Sequence, residues 1–202
     1  TLGGLPVTEV AEDCFSWNSE MTSVKIPETV TRIGTGAFNR CSNLKNVNIP
    51  DGIEAIEDEL FSQCYKLESI AIPESVKTIG KYAFNSCGLL PEISIPSGVT
   101  YIGEGAFGGC SGITNITLPS GITSIEADTF NYCSSLNEIT IPSGVTSIDD
   151  DAFWFCTSLS DITLPDNLEF LGYAAFGYCE SLKEITLPDS ITTIESNTSI
   201  FS

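Results

Sequence analysis

Apolar positions recur along this chain at one spacing. Phe38, Phe61, Phe84, Phe107, Phe130, Phe153 and Phe176 are each 23 residues apart. Three residues after each comes a cysteine: Cys41, Cys64, Cys87, Cys110, Cys133, Cys156 and Cys179. Prolines keep the same period from Pro27 to Pro188. The unit reads Pro-x-x-(Val/Ile)-Thr-x-Ile-Gly-x-x-Ala-Phe-x-x-Cys-x-x-Leu-x-x-Ile-x-(Ile/Leu), without insertion or deletion between Pro27 and Leu187. Its last two apolar positions, such as Val47 and Ile49, flank a polar residue, which is the period-two signal of a strand. Phe38, Cys41 and Leu44 fall three apart, so a tight 3₁₀-like turn is predicted there rather than an α-helix. Gly34, Gly80, Gly103 and Gly172 mark a corner. Glu57, Glu126, Asp149 and Glu195 take that place in other copies, so a positive φ is not obligatory at it.

A 23-residue unit cannot bury an apolar face alone. Stacking copies turns each apolar column into a continuous ladder, and the structure this predicts is a mainly β solenoid of about eight coils. Strands then pair in parallel as one long sheet on one face, with short turns on the other. The exposed column of that sheet is Asn48, Ala71, Ser94, Thr117, Thr140, Thr163 and Thr186. One repeat domain is expected over 1–202: a divergent first copy at 1–26, seven full copies at 27–187 and a partial one at 188–202. In the first copy Cys14 stands in the alanine column and Asn18 in the cysteine column. The pattern lapses at Ser199, where phenylalanine is due.

The segment Ile95-Pro96-Ser97-Gly98-Val99-Thr100-Tyr101-Ile102-Gly103-Glu104-Gly105-Ala106-Phe107-Gly108-Gly109-Cys110 resembles a leucine-rich repeat. More narrowly, it is similar to the BspA-like class of bacterial surface proteins, over about residues 5 to 195. The resemblance implies an α/β-type, right-handed leucine-rich-repeat solenoid. It also implies a secreted or surface-attached, non-enzymatic protein that in some relatives adheres to host protein or glycan. The motif residues are core residues, so the resemblance transfers no binding position. The chain begins inside a repeat, and a longer exported protein with further domains is expected.

Charge narrows the function further. There are 27 acidic residues against 8 basic ones and no histidine. A net charge of −19 opposes nucleic acid, another polyanion, and an anionic membrane. Without histidine there is no Ser-His-Asp or Cys-His catalysis and no HExxH zinc site. No phosphate loop or nucleophile elbow is present, and the chain reads as non-enzymatic with no cofactor. Beyond Lys81 the only basic residue is Lys183, and residues 82–182 carry twelve carboxylates.

Three surface features are candidates. Tyr132, Phe155 and Tyr178 form a second aromatic column beside Trp154, either as a patch for a protein loop or sugar ring or as rings folded over the core. Thr117, Thr140 and Thr163, with Glu92, Asn115, Glu138, Asp161 and Glu184, make a polar, flat sheet face that offers another contact surface. Glu126, Asp128, Asp149 and Asp151 lie on adjacent corners and read as calcium ligands or as a solvated rim. The seven in-column cysteines are expected to be reduced core thiols, because side chains in a ladder point the same way and do not converge as a disulfide requires. Cys14, out of column, is expected to be free too. A spacer carrying another domain, or a calcium-stabilised scaffold, are the alternatives to a binding module.

Overall fold

The computed structural model describes residues 5–196. Among them there is no helix. The expected partial repeat is therefore described only as far as Ser196, and Ser199 lies outside the described residues. Each full coil carries up to two short parallel strands, and residues 23 apart face each other across every pair, for example Asn46 with Ser69 and Ala55 with Thr78. The chain is a parallel solenoid of about eight turns.

The first strand of each coil is the predicted one. Asn46–Asn48 pairs with Ser69–Ala71, and Asn115–Thr117, Glu138–Thr140 and Asp161–Thr163 form a second group. The expected single long sheet is thus interrupted, and a Ser94–Thr117 bridge is all that extends the second group toward the first. Pro91 explains the break. At its column Lys45, Glu68, Asn137 and Ser160 each donate a backbone N–H to the preceding coil, which proline cannot do. The second strand follows the proline turn, as at Ala55–Ile56, Thr78–Ile79 and Tyr101–Ile102. It lies two residues inside what the repeat formula shows as Thr-x-Ile, too short for periodicity to reveal.

The opposite edge is the predicted run of tight turns, in which only alternate residues make the 3₁₀-type bond. Ala37, Asn39 and Cys41 donate to the carbonyl three residues back, but Gly36, Phe38 and Arg40 between them donate to Asp58, Leu60 and Ser62 of the next coil. A 3₁₀ run would use the first set alone. Alternation needs a left-handed residue at every fourth position, and φ is positive at Gly36 and Arg40, at Glu59 and Gln63, and at Asp128 and Tyr132. Each such non-glycine residue costs about 1–2 kcal/mol, offset by the hydrogen bond it turns toward the next coil. The corner glycines answer a different demand. A Cβ on Gly172 would lie 2.4 Å from the Asp150 backbone nitrogen, so close approach of successive coils favours glycine there.

Inside, equivalent side chains stack. The eight rings from Phe15 to Phe176 lie 5.3–5.8 Å apart, tilted by 1–17°. Those from Phe38 to Phe153 are completely buried, whereas Phe176 is half-buried. Each in-column thiol donates to a phenylalanine carbonyl of the preceding coil, as Cys64 does to Phe38 at 3.2 Å and Cys110 to Phe84 at 3.1 Å. Cysteine is therefore a small apolar filler that also ties one coil to the last.

Candidate functional site

The turn edge carries one column of solvent-facing residues, each with positive φ: Trp17, Arg40, Gln63, Ser86, Gly109, Tyr132, Phe155 and Tyr178. Bulky side chains rarely adopt that conformation. Tyr132 stacks on Phe155 with centroids 5.1 Å apart, and Phe155 on Tyr178 at 4.8 Å. Trp154 meets Tyr132 and Tyr178 edge-on at 4.9 and 5.5 Å. Gly177, directly above Trp154, leaves room for the indole, since a Cβ there would sit 2.5 Å from Cδ1. Trp154 and Phe155 are half-buried, while Tyr132 is 48% and Tyr178 62% exposed. The four rings thus form a single cluster whose outer edge stands in water.

At the first coils the same column behaves differently. The Arg40 guanidinium lies over the Trp17 ring, 4.0 Å from its centroid. Sequence reading missed this pair because Arg40 and Trp17 carry no repeat signature.

The acidic corners adjoin the aromatic cluster. Burial first, then the neighbouring Glu126, pushes the Asp149 carboxyl above its ordinary range. Asp151 moves the same way through burial and the charges of Asp128 and Asp150. Asp128 accepts a hydrogen bond from Asn131 Nδ2, and Glu126 one from Ser124 at 2.6 Å. Among the described residues no group of three or more Cys, Asp or Glu is placed to hold a metal ion. Glu104, one coil earlier, is held below the usual carboxylate range by the Tyr82 hydroxyl and by Lys81 at 3.0 Å.

The sheet face is concave rather than flat. Thr117, Thr140 and Thr163, with Asn115, Glu138 and Asp161, line a hollow of about 520 Å³. It is flanked by hollows of about 560 Å³ around Glu92 and Ser94 and about 310 Å³ around Glu184 and Thr186. Between the threonines and the polar residues before them, Ile116, Ile139 and Ile162 are buried in the core.

All eight cysteines are free. Burial pushes the Cys110 thiol up to about 12 and that of Cys179 to about 11, and the thiols of Cys87 and Cys133 rise as well. A protonated, buried thiol is neither nucleophile nor metal ligand. Cys14 alone among them is exposed.

Comparison with known proteins places the chain. Residues 8–134 and 77–202 match the BspA type leucine rich repeat region, in six copies. A leucine-rich repeat protein from Bacteroides ovatus is 37% identical over 92% of this chain, with a TM-score of 0.89. One from T. pallidum is 30% identical over 90%, with a TM-score of 0.68. A leucine rich cell surface protein from Faecalibacterium prausnitzii is 36% identical over 90%, with a TM-score of 0.63. The chain spans 48%, 74% and 43% of these three, respectively. No curated protein matches it. With the 23-residue coil, the phenylalanine and cysteine ladders and these matches together, the chain belongs to the BspA-type leucine-rich repeat family.

Proposed function

We propose that this chain is a non-enzymatic binding module, displayed outside the cell, that engages an extracellular protein or glycan. The observation that carries this reading is the cluster of Tyr132, Trp154, Phe155 and Tyr178, with three aromatic side chains held in a left-handed backbone where smaller residues cost less. Tyrosine and tryptophan offer a broad apolar surface with a polar tip, the combination enriched at contact surfaces. The concave sheet face, with its threonine ladder, is a second surface of the same module. The cell-surface description of the Faecalibacterium relative supports an extracellular setting. No helix among the described residues is long and apolar enough to cross a membrane.

A binding screen against extracellular-matrix proteins and glycans tests the proposal. Saturable binding is expected, and it should fall at least tenfold when Trp154, Phe155 and Tyr178 are all changed to alanine, with the melting curve checked in parallel. Unchanged binding by that variant would remove the aromatic patch from the reading. No ligand retained in an unbiased pull-down would leave a spacer as the better description.

A further inference from the structure

The coil 103–110 departs from its neighbours on the turn edge. Three of its turn positions hold Gly105, Gly108 and Gly109, and the coils on either side carry side chains at all three places. Positive φ does not account for Gly109, because Gln63, Ser86 and Tyr132 adopt it in the same column. What glycine contributes there is a missing side chain. Over Gly105 the gap is filled by Tyr82, whose ring would collide with a Cβ at 2.3 Å and whose hydroxyl bonds Glu104. Over Gly108 it is closed by the Asn85 amide and the Asp128 carbonyl, which a Cβ would meet at 2.9 and 3.3 Å, but beside Gly109 a hollow of about 260 Å³ remains between Asn85 and Ser86 on one side and Asp128, Asn131 and Tyr132 on the other.

This slot interrupts the aromatic stack. Tyr132 packs one face on Phe155, and its other face looks onto the bare position of Gly109. One more planar group fits there, and the surroundings select its kind. No basic residue lies between 82 and 182, so Asp128 has no cation of its own within that stretch. Asn131 Nδ2 already donates to Asp128, which leaves the carboxylate's charge unmatched. A flat group that carries positive charge and N–H donors suits the ring face and the carboxylate together. The molecule itself shows the arrangement, in the same column, where Arg40 lies over Trp17.

We propose that the slot beside Gly109 receives the guanidinium of an arginine from a basic partner protein, stacked on the free face of Tyr132 and paired with Asp128. This deepens the binding role assigned to the aromatic edge and rests on it. A lysine ammonium lacks the plane, and a neutral sugar lacks the charge.

The test is a titration of ¹⁵N-labelled protein with arginine blocked at both termini, alongside blocked lysine, blocked citrulline and a methyl glycoside. Saturable shifts of the Gly108 and Gly109 amides are expected with arginine, with affinity at least fivefold lower for the other three. Tyr132→Leu is expected to weaken arginine binding at least fivefold. Asp128→Asn should weaken it and reduce its salt dependence, and Gly109→Gln, a side chain already carried in this column by Gln63, should abolish it. Equal binding of citrulline or the glycoside overturns the proposal, as does arginine binding undiminished in both Gly109→Gln and Tyr132→Leu. A ligand from the matrix screen that is lost with Trp154→Ala and Tyr178→Ala but kept with Gly109→Gln overturns the slot while leaving the binding module standing.

Discussion

Between Glu9 and Glu104 the coil edges carry ion pairs. Arg32 bonds Glu9 and approaches Glu12 and Glu57 at 3.7 Å, Lys45 pairs with Glu68 at 2.8 Å, and Lys81 with Glu104 at 3.0 Å. Beyond Glu104 none of the described residues forms an ion pair, and carboxylates face carboxylates up the stack: Asp149 by Glu126, Asp151 by Asp128. Yet the interior does not change across that boundary. Phe61 and Phe130 are equally buried, and the ring spacing is the same. Core columns are dictated by stacking and tell nothing about partners. The exterior columns are free to vary, so the two halves differ on their surfaces and not in their cores.

The largest losses of stability are expected from substitutions inside the stack. Phe61→Ala and Phe107→Ala should each cost about 3–5 kcal/mol in denaturant unfolding, the range for truncating a buried ring. Equal costs would support a core indifferent to the surface charge; a much smaller loss at either site would mean that the ladder is not continuous. Thiol chemistry comes next. Native protein should react with a maleimide at Cys14 only and unfolded protein at all 8 cysteines, and early labelling of a second thiol would locate a coil that opens.

Surface effects are smaller and opposite in sign between the halves. Asp151→Asn should stabilise by roughly 0.2–1 kcal/mol at pH 7, as expected for relieving a like-charge neighbour in a parallel stack. The folded-state pKa of Asp151 is raised, so the folded form binds the proton more readily than the unfolded one. Its penalty is present at neutral pH and vanishes as the pH falls below the ordinary carboxylate value of about 4. Melts of wild type and variant should therefore converge in acid. Glu104 runs the other way: its pKa is lowered, so its contribution is present above the ordinary value and is lost as the pH falls through the lowered one. Lys81→Gln, the smallest change, should destabilise by under about 1 kcal/mol, with the loss shrinking in high salt.

The stack itself was legible because Phe, Cys and Pro repeat at one spacing that only vertical alignment satisfies. The second strand was not, since Ala55–Ile56 and its equivalents are two residues long and alternate with nothing. The turn edge was legible as tight turns, but the alternate hydrogen bonds to the next coil leave no trace in a three-residue spacing. Nor did the repeat formula show that Pro91 stops the sheet, since it treats that column as any residue. The aromatic patch was visible as Tyr132, Phe155 and Tyr178, but the slot beside it is made by side chains that are missing, and a sequence advertises absence poorly.

The alternating amides of the turn edge carry one last consequence. There the backbone hands its protons toward higher-numbered coils, as Gly36 does to Asp58, while on the sheet side it hands them back, as Lys45 does to Thr22. The two edges therefore mesh like opposed ratchets. A deletion of a few residues would satisfy one edge and orphan the other, whereas removing or duplicating 23 residues at once leaves both engaged. Such a rod can lengthen or shorten only in whole coils, and its span is an integer that gene duplication can count.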